Sequence, residues 1–346
     1  MSSIPKKSIS PELSSIISFL RFPLIYCVVV LHTHLPMDDN LKTIVYKILP
    51  PCIPVLFLIS SYLFFYSFEG WNWKLFNDKI RSRFHNLFVP YLFWNAFALL
   101  FYFLVHQFFS EQISSSYQNV SQFTAIDFLR AFWNGFDGNP IAYQLWFLRD
   151  LMVLFLLAPL FYYLLRGRLG WVLIALFISN EIFQFVIDFK LRSITWFAIG
   201  TFLAIRQFDV LKYLKDSRYV IIVLYLVFLV ASFVSDAFLP YSSFIGVFAA
   251  FDIVRLLIKK GLQMPRPLTE VSFFEYAFHG CTILIITKAI GRLFYGNQLL
   301  LAFGYFLAPV MMTILCVVIY YSLKRLFPRF TNIIVGKRMK FASVGV

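Results

Sequence analysis

The chain has 346 residues, of which 60% are hydrophobic, 20% aromatic and only 14% charged, with a formal net charge of +14. A water-soluble domain carries about 25% charged residues, so this composition excludes a soluble globular protein and points to lipid as the solvent. The positive excess does not indicate nucleic acid, because the basic residues fall in short clusters between apolar runs, as they do where a membrane protein sets its orientation.

A helix needs about 20 apolar residues to cross about 30 Å of hydrocarbon. Runs of that kind predict spans at 14–35, 44–67, 87–109, 143–165, 170–188, 191–206, 219–236, 241–259, 271–292 and 299–325. The expected fold is therefore all-α, a polytopic transmembrane bundle of ten spans. Residues 1–13 are expected to form an N-terminal tail, 14–325 the membrane domain and 326–346 a basic C-terminal tail. The first apolar run has no small-residue cleavage site after it and is expected to stay as the first span.

Orientation follows from the loops. With the N-terminus inside, the inner segments hold Lys6 and Lys7; Lys74, Lys79, Arg81 and Arg83; Arg166 and Arg168; Arg206, Lys212, Lys215 and Arg218; Lys259, Lys260 and Arg266; and Lys324, Arg325, Arg329, Lys337, Arg338 and Lys340, together 21 of the 31 basic residues. The outer loops carry acids instead: Asp38, Asp39, Glu111, Asp127, Asp137 and Asp236. An even number of spans with both termini cytoplasmic preserves this alternation. The longest outer segment, 110–142, contains Gly135, Gly138 and Pro140 and is long enough to cap a site on the outer face. Cys27, Cys52, Cys281 and Cys316 all sit in apolar runs, without metal or disulfide spacing, and read as packing residues.

Charges inside spans are expensive and mark candidate sites. In the first span Arg21 and His32 are eleven steps apart, about three turns and about 16 Å along one helix face. Arg21 falls toward the cytoplasmic end and His32 toward the outer end. Either the helix presents a cation and a titratable base to one interior cavity, or Arg21 snorkels to lipid phosphates and His32 sits at the interface. Arg81 and Arg83 lie at the cytoplasmic mouth of the third span, where they would bind the phosphates of an anionic donor or serve as positive-inside anchors. Trp146, Arg149 and Asp150 open the fourth span; adjacent helical residues point about 100° apart, so Arg149 and Asp150 are expected to pair with other helices rather than each other. Glu181 is deep in the fifth span. Asp252 and Arg255, three apart, could pair within the eighth. Glu275 and His279, four apart, share a face of the ninth. Catalysis and helix-joining ion pairs both fit these residues. His32, His34, His85 and His279 show no spacing of a metal site, and no metal is expected.

Taken in order, the motifs resemble the acyltransferase-3 family of membrane acyltransferases. Arg21 and His32 resemble its first-span signature, and Pro54–Phe64 its second-span motif, with Ser61 where glycine is more usual. Arg81-Ser-Arg83 with Val-Pro90-Tyr91-Leu-Phe-Trp94 resembles the motif leading into span three. Leu145–Leu151, Trp196–Gly200 and Ser272–Gly280 resemble those of spans four, six and nine, with Glu275 where an apolar residue is usual. The resemblance implies transfer of an acyl group, most often acetyl, from acyl-coenzyme A to a hydroxyl of a surface or exported carbohydrate, in a bacterial inner membrane and with no bound cofactor. It implies His32 as general base or acyl carrier, Arg21 on donor phosphate or oxyanion, and Arg81 and Arg83 on the coenzyme A phosphates. Trp146, Arg149, Asp150, Glu275 and His279 are supporting candidates. The family's outer domain, common where the acceptor is an external glycan, has no counterpart here, which suits a small or lipid-linked acceptor. A secondary transporter or flippase for an anionic solute is the competing class; no internal inverted repeat supports it.

Overall fold

The computed structural model describes residues 9–37, 39–134, 138–186, 188–208 and 210–337. Lys6, Lys7, Asp38, Gly135, Asp137, Arg338 and Lys340, used in the reading above, lie outside the described residues. The helices in chain order are α1 (Pro11–Leu31), α2 (Asp39–Ile48), α3 (Cys52–Phe65), α4 (Trp73–Arg83), α5 (Val89–Phe108), α6 (Glu111–Ser114), α7 (Ala125–Ala131), α8 (Trp146–Leu156), α9 (Ala158–Arg166), α10 (Leu169–Phe183), α11 (Phe189–Ile205), α12 (Val210–Val234), α13 (Leu239–Lys259), α14 (Arg266–Leu293), α15 (Gln298–Leu326) and α16 (Pro328–Ile334). The protein is all-α, and each of the ten apolar runs falls on helix.

Seven helical stretches are long and apolar enough to cross a membrane by themselves, and an eighth counts if α8 and α9 act as one span bent by 61°. Pro159, in the first turn of α9, lacks the N–H that would continue α8 and so breaks the run. The remaining two runs form α10 and α11, of 15 and 17 residues. At 1.5 Å per residue they reach only about 23 and 26 Å, short of a full crossing. The count of ten therefore turns on these two helices. One side of α12 leaves Val220, Val223, Val227, Val230 and Val234 exposed, a face suited to lipid.

The chain divides into two compact units. The first takes the chain up to Leu31, Asp39–Phe76 and Val153–Thr269; the second takes residues 32–37, Asn77–Met152 and the chain from Glu270. In the first unit α11 packs against α3, α9 and α10, and α13 against α1, α10 and α12. The tightest approach is at Gly200, where a Cβ would stand 2.1 Å from Ser61 Oγ and 2.4 Å from the Leu58 carbonyl oxygen. The second-span and sixth-span motifs thus meet each other, and Gly200 makes the room that Ser61 occupies in place of glycine.

Glu181 is a helix-joining residue. Its Oε1 accepts from Arg192 Nε at 2.8 Å and from Trp196 Nε1 at 3.2 Å, while Arg192 Nη2 donates to Ser243 Oγ at 2.6 Å, so one network ties α10, α11 and α13. Glu181→Ala leaves the guanidinium and the buried indole without their acceptor. A thermal melt in detergent is expected to show a loss of about 1–3 kcal/mol, less than for a fully buried pair because Arg192 is part-exposed, with Glu181→Gln falling between the two. Asp252 and Arg255 do not pair with each other. Arg255 Nε bonds Glu12 at 2.6 Å and its Nη1 donates to the Leu211 carbonyl at 3.2 Å, while Asp252 Oδ2 has no partner among the described residues. Spacing of three permitted the intrahelical pair, but the guanidinium reaches farther to a carboxylate on α1.

In the second unit a π-helical turn, Phe84–Phe88, joins α4 to α5. The stretch expected as a basic tail contains α16, which packs on α5: Trp94 Nε1 donates to the Ile334 carbonyl at 2.9 Å. Gly336 follows at φ +66°, so close to Asn86 that a Cβ would stand 2.1 Å from its carbonyl oxygen.

The segment before α8 does not simply cap the helix ends. It runs along α5 as far as Tyr91, the third residue of that helix. Tyr91 hydroxyl donates to the Phe132 carbonyl, Ala142 N–H to Asn95 Oδ1 at 3.3 Å, and Tyr102 hydroxyl to the Ile141 carbonyl at 3.3 Å. Non-helical backbone beside the middle of a membrane helix requires partners from the protein. Arg149 supplies two of them: Nη1 donates to the Trp133 and Gly138 carbonyls, both at 2.7 Å. Its Nε and Nη2 grip Asp150 at 2.9 and 2.8 Å. The expectation that Arg149 and Asp150 pair elsewhere is thus corrected. Their Cβ directions diverge, but the long arginine side chain curls back, and the neighbouring carboxylate balances a cation whose donors are committed to the loop.

Candidate active site

α1 ends at Leu31, and His32 is the first residue beyond it. His32 lies within the second unit, its ring centroid 5.4 Å from that of His279 and 5.0 Å from that of Tyr143. His279 is wholly buried and stands halfway along α14. The two histidines therefore meet beside the middle of a long apolar helix, rather than at its outer end.

The α14 backbone orients His279. Its Nδ1 lies 3.2 Å from the Glu275 carbonyl oxygen. A carbonyl can only accept, so this bond puts the proton on Nδ1 and leaves Nε2 with a bare lone pair. Nε2 has no partner among the described residues. Glu275, one turn earlier on the same face, is also wholly buried; Thr313 Oγ1 lies 2.7 Å from its Oε1, and its Oε2 is unpartnered. Two unpartnered buried polar atoms one helical turn apart are unusual, because such groups are normally satisfied.

Tyr143 and Gln144 close the other side. Gln144 Nε2 donates to the Ala277 carbonyl at 2.7 Å, and Tyr276 hydroxyl to the Gln144 carbonyl at 2.6 Å. Gly280 admits this side chain: a Cβ there would stand 2.0 Å from Gln144 Oε1 and 2.3 Å from its Cδ. Gly280→Ala is expected to push Gln144 off α14 and displace the adjoining Tyr143 from His32. Turnover should fall at least tenfold, about 1.4 kcal/mol of barrier, in protein that still elutes as a folded monodisperse peak; unchanged turnover would show that Tyr143 does not hold His32. The roof is tied down nearby, where Tyr117 hydroxyl donates to the Cys281 carbonyl at 2.9 Å.

The family model for an acyltransferase domain, that of acyltransferase-3, matches residues 15–321. The chain belongs to the acyltransferase-3 family. It is a multi-pass membrane acyltransferase. No curated protein and no solved structure matches it.

In this acyltransferase-3 chain the residues singled out by sequence fall in four places. His32 and His279 come together in the second unit, with Glu275 one helical turn from His279 on α14. Trp146, Arg149 and Asp150 lie in the first turns of α8 in that unit, Arg149 and Asp150 bracing the loop that carries Tyr143. Arg21 is on α1 in the first unit, exposed and with no hydrogen bond or ion pair among the described residues. Arg81 is exposed and Arg83 half-buried in the last turn of α4, ahead of the π-helical turn. Tyr143, Gln144 and Thr313 escaped the sequence reading. The first two immediately precede the Leu145-Trp146 motif, which was the available signal; Thr313 is a hydroxyl within a long apolar run and gave none. Among the described residues no cluster of three histidine, cysteine or acidic side chains could hold a metal.

Proposed function

We propose that this acyltransferase moves an acyl group, most simply acetyl, from acyl-coenzyme A to a hydroxyl of a surface or exported carbohydrate. The reading is carried by His32 packed against His279 and Tyr143 beside the middle of α14. An alcohol attacks a thioester only as its proton leaves, and a histidine can take that proton near neutral pH. The acceptor oxygen then bonds to the acyl carbon, the carbon–sulfur bond breaks, and the proton held by the imidazole passes to the departing thiolate. In the carrier version the imidazole nitrogen of His32 attacks first, releases the thiol, and passes the acyl group to the acceptor in a second step. The bare Nε2 of His279 is suited to orient or accept a proton from His32.

Arg21 in this reading neutralises donor phosphate or oxyanion charge, and Arg81 and Arg83 hold the donor phosphates. The topology proposed with it has ten spans, both termini in the cytoplasm and a bacterial inner membrane around them; a small or lipid-linked glycan is the acceptor. The test uses the protein in nanodiscs with radiolabelled acetyl-coenzyme A. Release of free thiol, with label passing to added glycan lipid, supports the reading. No thiol release and no donor binding across acetyl and longer acyl donors would end it.

A further inference from the structure

The first unit holds a cavity of about 450 Å³ at the end where α1 begins, and nothing in the acyl-transfer reading uses it. Its wall includes Glu12, Tyr62, Tyr66, Gln207, Lys212 and Arg255. The volume lies within the range of about 300–1,000 Å³ typical of small-ligand sites.

The charges on this wall are unequally fixed. Arg255 is 9% exposed at its side chain and held at two points, by Glu12 at 2.6 Å and by the Leu211 carbonyl at 3.2 Å. Glu12, its counter-ion, is 46% exposed. A buried guanidinium needs an anion beside it, since an unpaired charge in a membrane bundle is costly. Glu12 supplies one from the first turn of α1, where rotation of a single exposed side chain withdraws it. Among the described residues Arg255 and Lys212 are the cations on this wall and Glu12 its carboxylate. The first turns of α1 and α12 also border the cavity, so the positive ends of two helix dipoles add in the same sense.

We propose that this cavity binds a phosphate-bearing anion, whose phosphate replaces Glu12 as the partner of Arg255. The guanidinium presents planar, paired donors that suit phosphate, and Lys212 adds a second cation. The phosphate has two available sources, a soluble pyrophosphate-bearing molecule or the headgroup of an anionic lipid. Arg81 and Arg83 are not among the residues that line it, and it stands whether or not His32 transfers an acyl group.

The test is a labelling experiment on the full chain. Ser10 also lines the cavity, so Ser10→Cys reports on access to it. The variant is reconstituted in phosphatidylcholine nanodiscs and its maleimide labelling rate is measured with and without inorganic pyrophosphate, then again in nanodiscs containing phosphatidylglycerol. At least fivefold slowing by pyrophosphate assigns a soluble ligand; the same slowing by phosphatidylglycerol alone assigns a lipid headgroup. Added to Ser10→Cys, Glu12→Gln is expected to raise the apparent affinity at least threefold by removing the competing carboxylate, and Lys212→Gln to lower it by a similar factor. Lys212→Gln leaves the Arg255 pair in place, so it decides the matter if Glu12→Gln folds poorly. Labelling that neither additive slows, or protection that Lys212→Gln leaves unchanged, overturns the proposal.

Discussion

His32→Ala is expected to abolish acyl transfer while the protein stays folded, with turnover falling by about 10²–10⁴-fold, the contribution usual for a positioned general base. The residue can be cut back without collapsing the fold because it follows the end of α1 and is only half-buried. Its loss removes one ring from a cluster whose other members, His279 and Tyr143, keep their own backbone bonds and neighbours. Thiol release from acetyl-coenzyme A is the readout, with the melting temperature of the variant as control. His279→Gln is expected to lose less, since it removes the ring lone pair beside His32 but not His32 itself. The two roles of His32 separate on quenching: a carrier leaves acid-labile label on the protein in the absence of acceptor, and a base does not. A His32→Ala protein that keeps more than about a tenth of wild-type turnover would remove His32 from the chemistry, since a lost general base removes at least about a hundredfold.

Gly200→Ala is expected to destabilise the first unit strongly by forcing α11 away from α3. The added carbon would fall 2.1 Å from Ser61 Oγ and 2.4 Å from the Leu58 carbonyl oxygen, with the carbonyl carbon at 3.1 Å. A hydroxyl can rotate away, but a helix carbonyl cannot, so α11 has to move off α3. Overpacking of this kind destabilises by about 1–3 kcal/mol and more where backbone must shift, and small residues are what allow membrane helices to approach so closely. Fluorescence-detected size exclusion after a temperature series should show a midpoint well below wild type. The pairing with Ser61 supplies a discriminating control. Ser61→Gly alone should be well tolerated, and in combination with Gly200→Ala it should restore only part of the loss, because Leu58 remains. Full recovery would locate the clash at the hydroxyl alone.

The helices were legible because lipid imposes a length and a composition on anything that crosses it. Ten apolar runs predicted ten helical segments, and α10 and α11 are the two that prove short. What the runs could not show is how side chains reach. The divergence of Cβ directions at Arg149 and Asp150 was sound geometry for short side chains and failed for arginine. Arg255 found Glu12 across 243 positions of sequence, a pairing no local spacing can signal. The inward course of the segment before α8 was hidden for a related reason. Its polar backbone is satisfied by side chains of Tyr91, Asn95, Tyr102 and Arg149, on α5 and α8, which no spacing in the sequence ties to it. Of the candidate site, the four-residue spacing of Glu275 and His279 put both on one face, where the structure has them. The meeting of His279 with His32 is a tertiary fact, and Tyr143 joins them beside Gln144, which is seated against Gly280.

The second unit is sewn from pieces made at different times. Residues 32–37 leave the ribosome near the start of synthesis, yet the helix that carries His279 belongs to a stretch beginning at Glu270. At ordinary elongation rates of about 5–20 residues per second, His32 waits on the order of tens of seconds for its neighbour. Trp94 waits nearly as long for Ile334, 240 positions on. On the role proposed for His32, a nascent chain is inert until it is almost complete, and a product truncated anywhere before α14 carries that histidine with nothing to work against. On the same proposal the cell gains an enzyme that cannot act while half inserted, and loses any chance of salvaging a prematurely terminated copy.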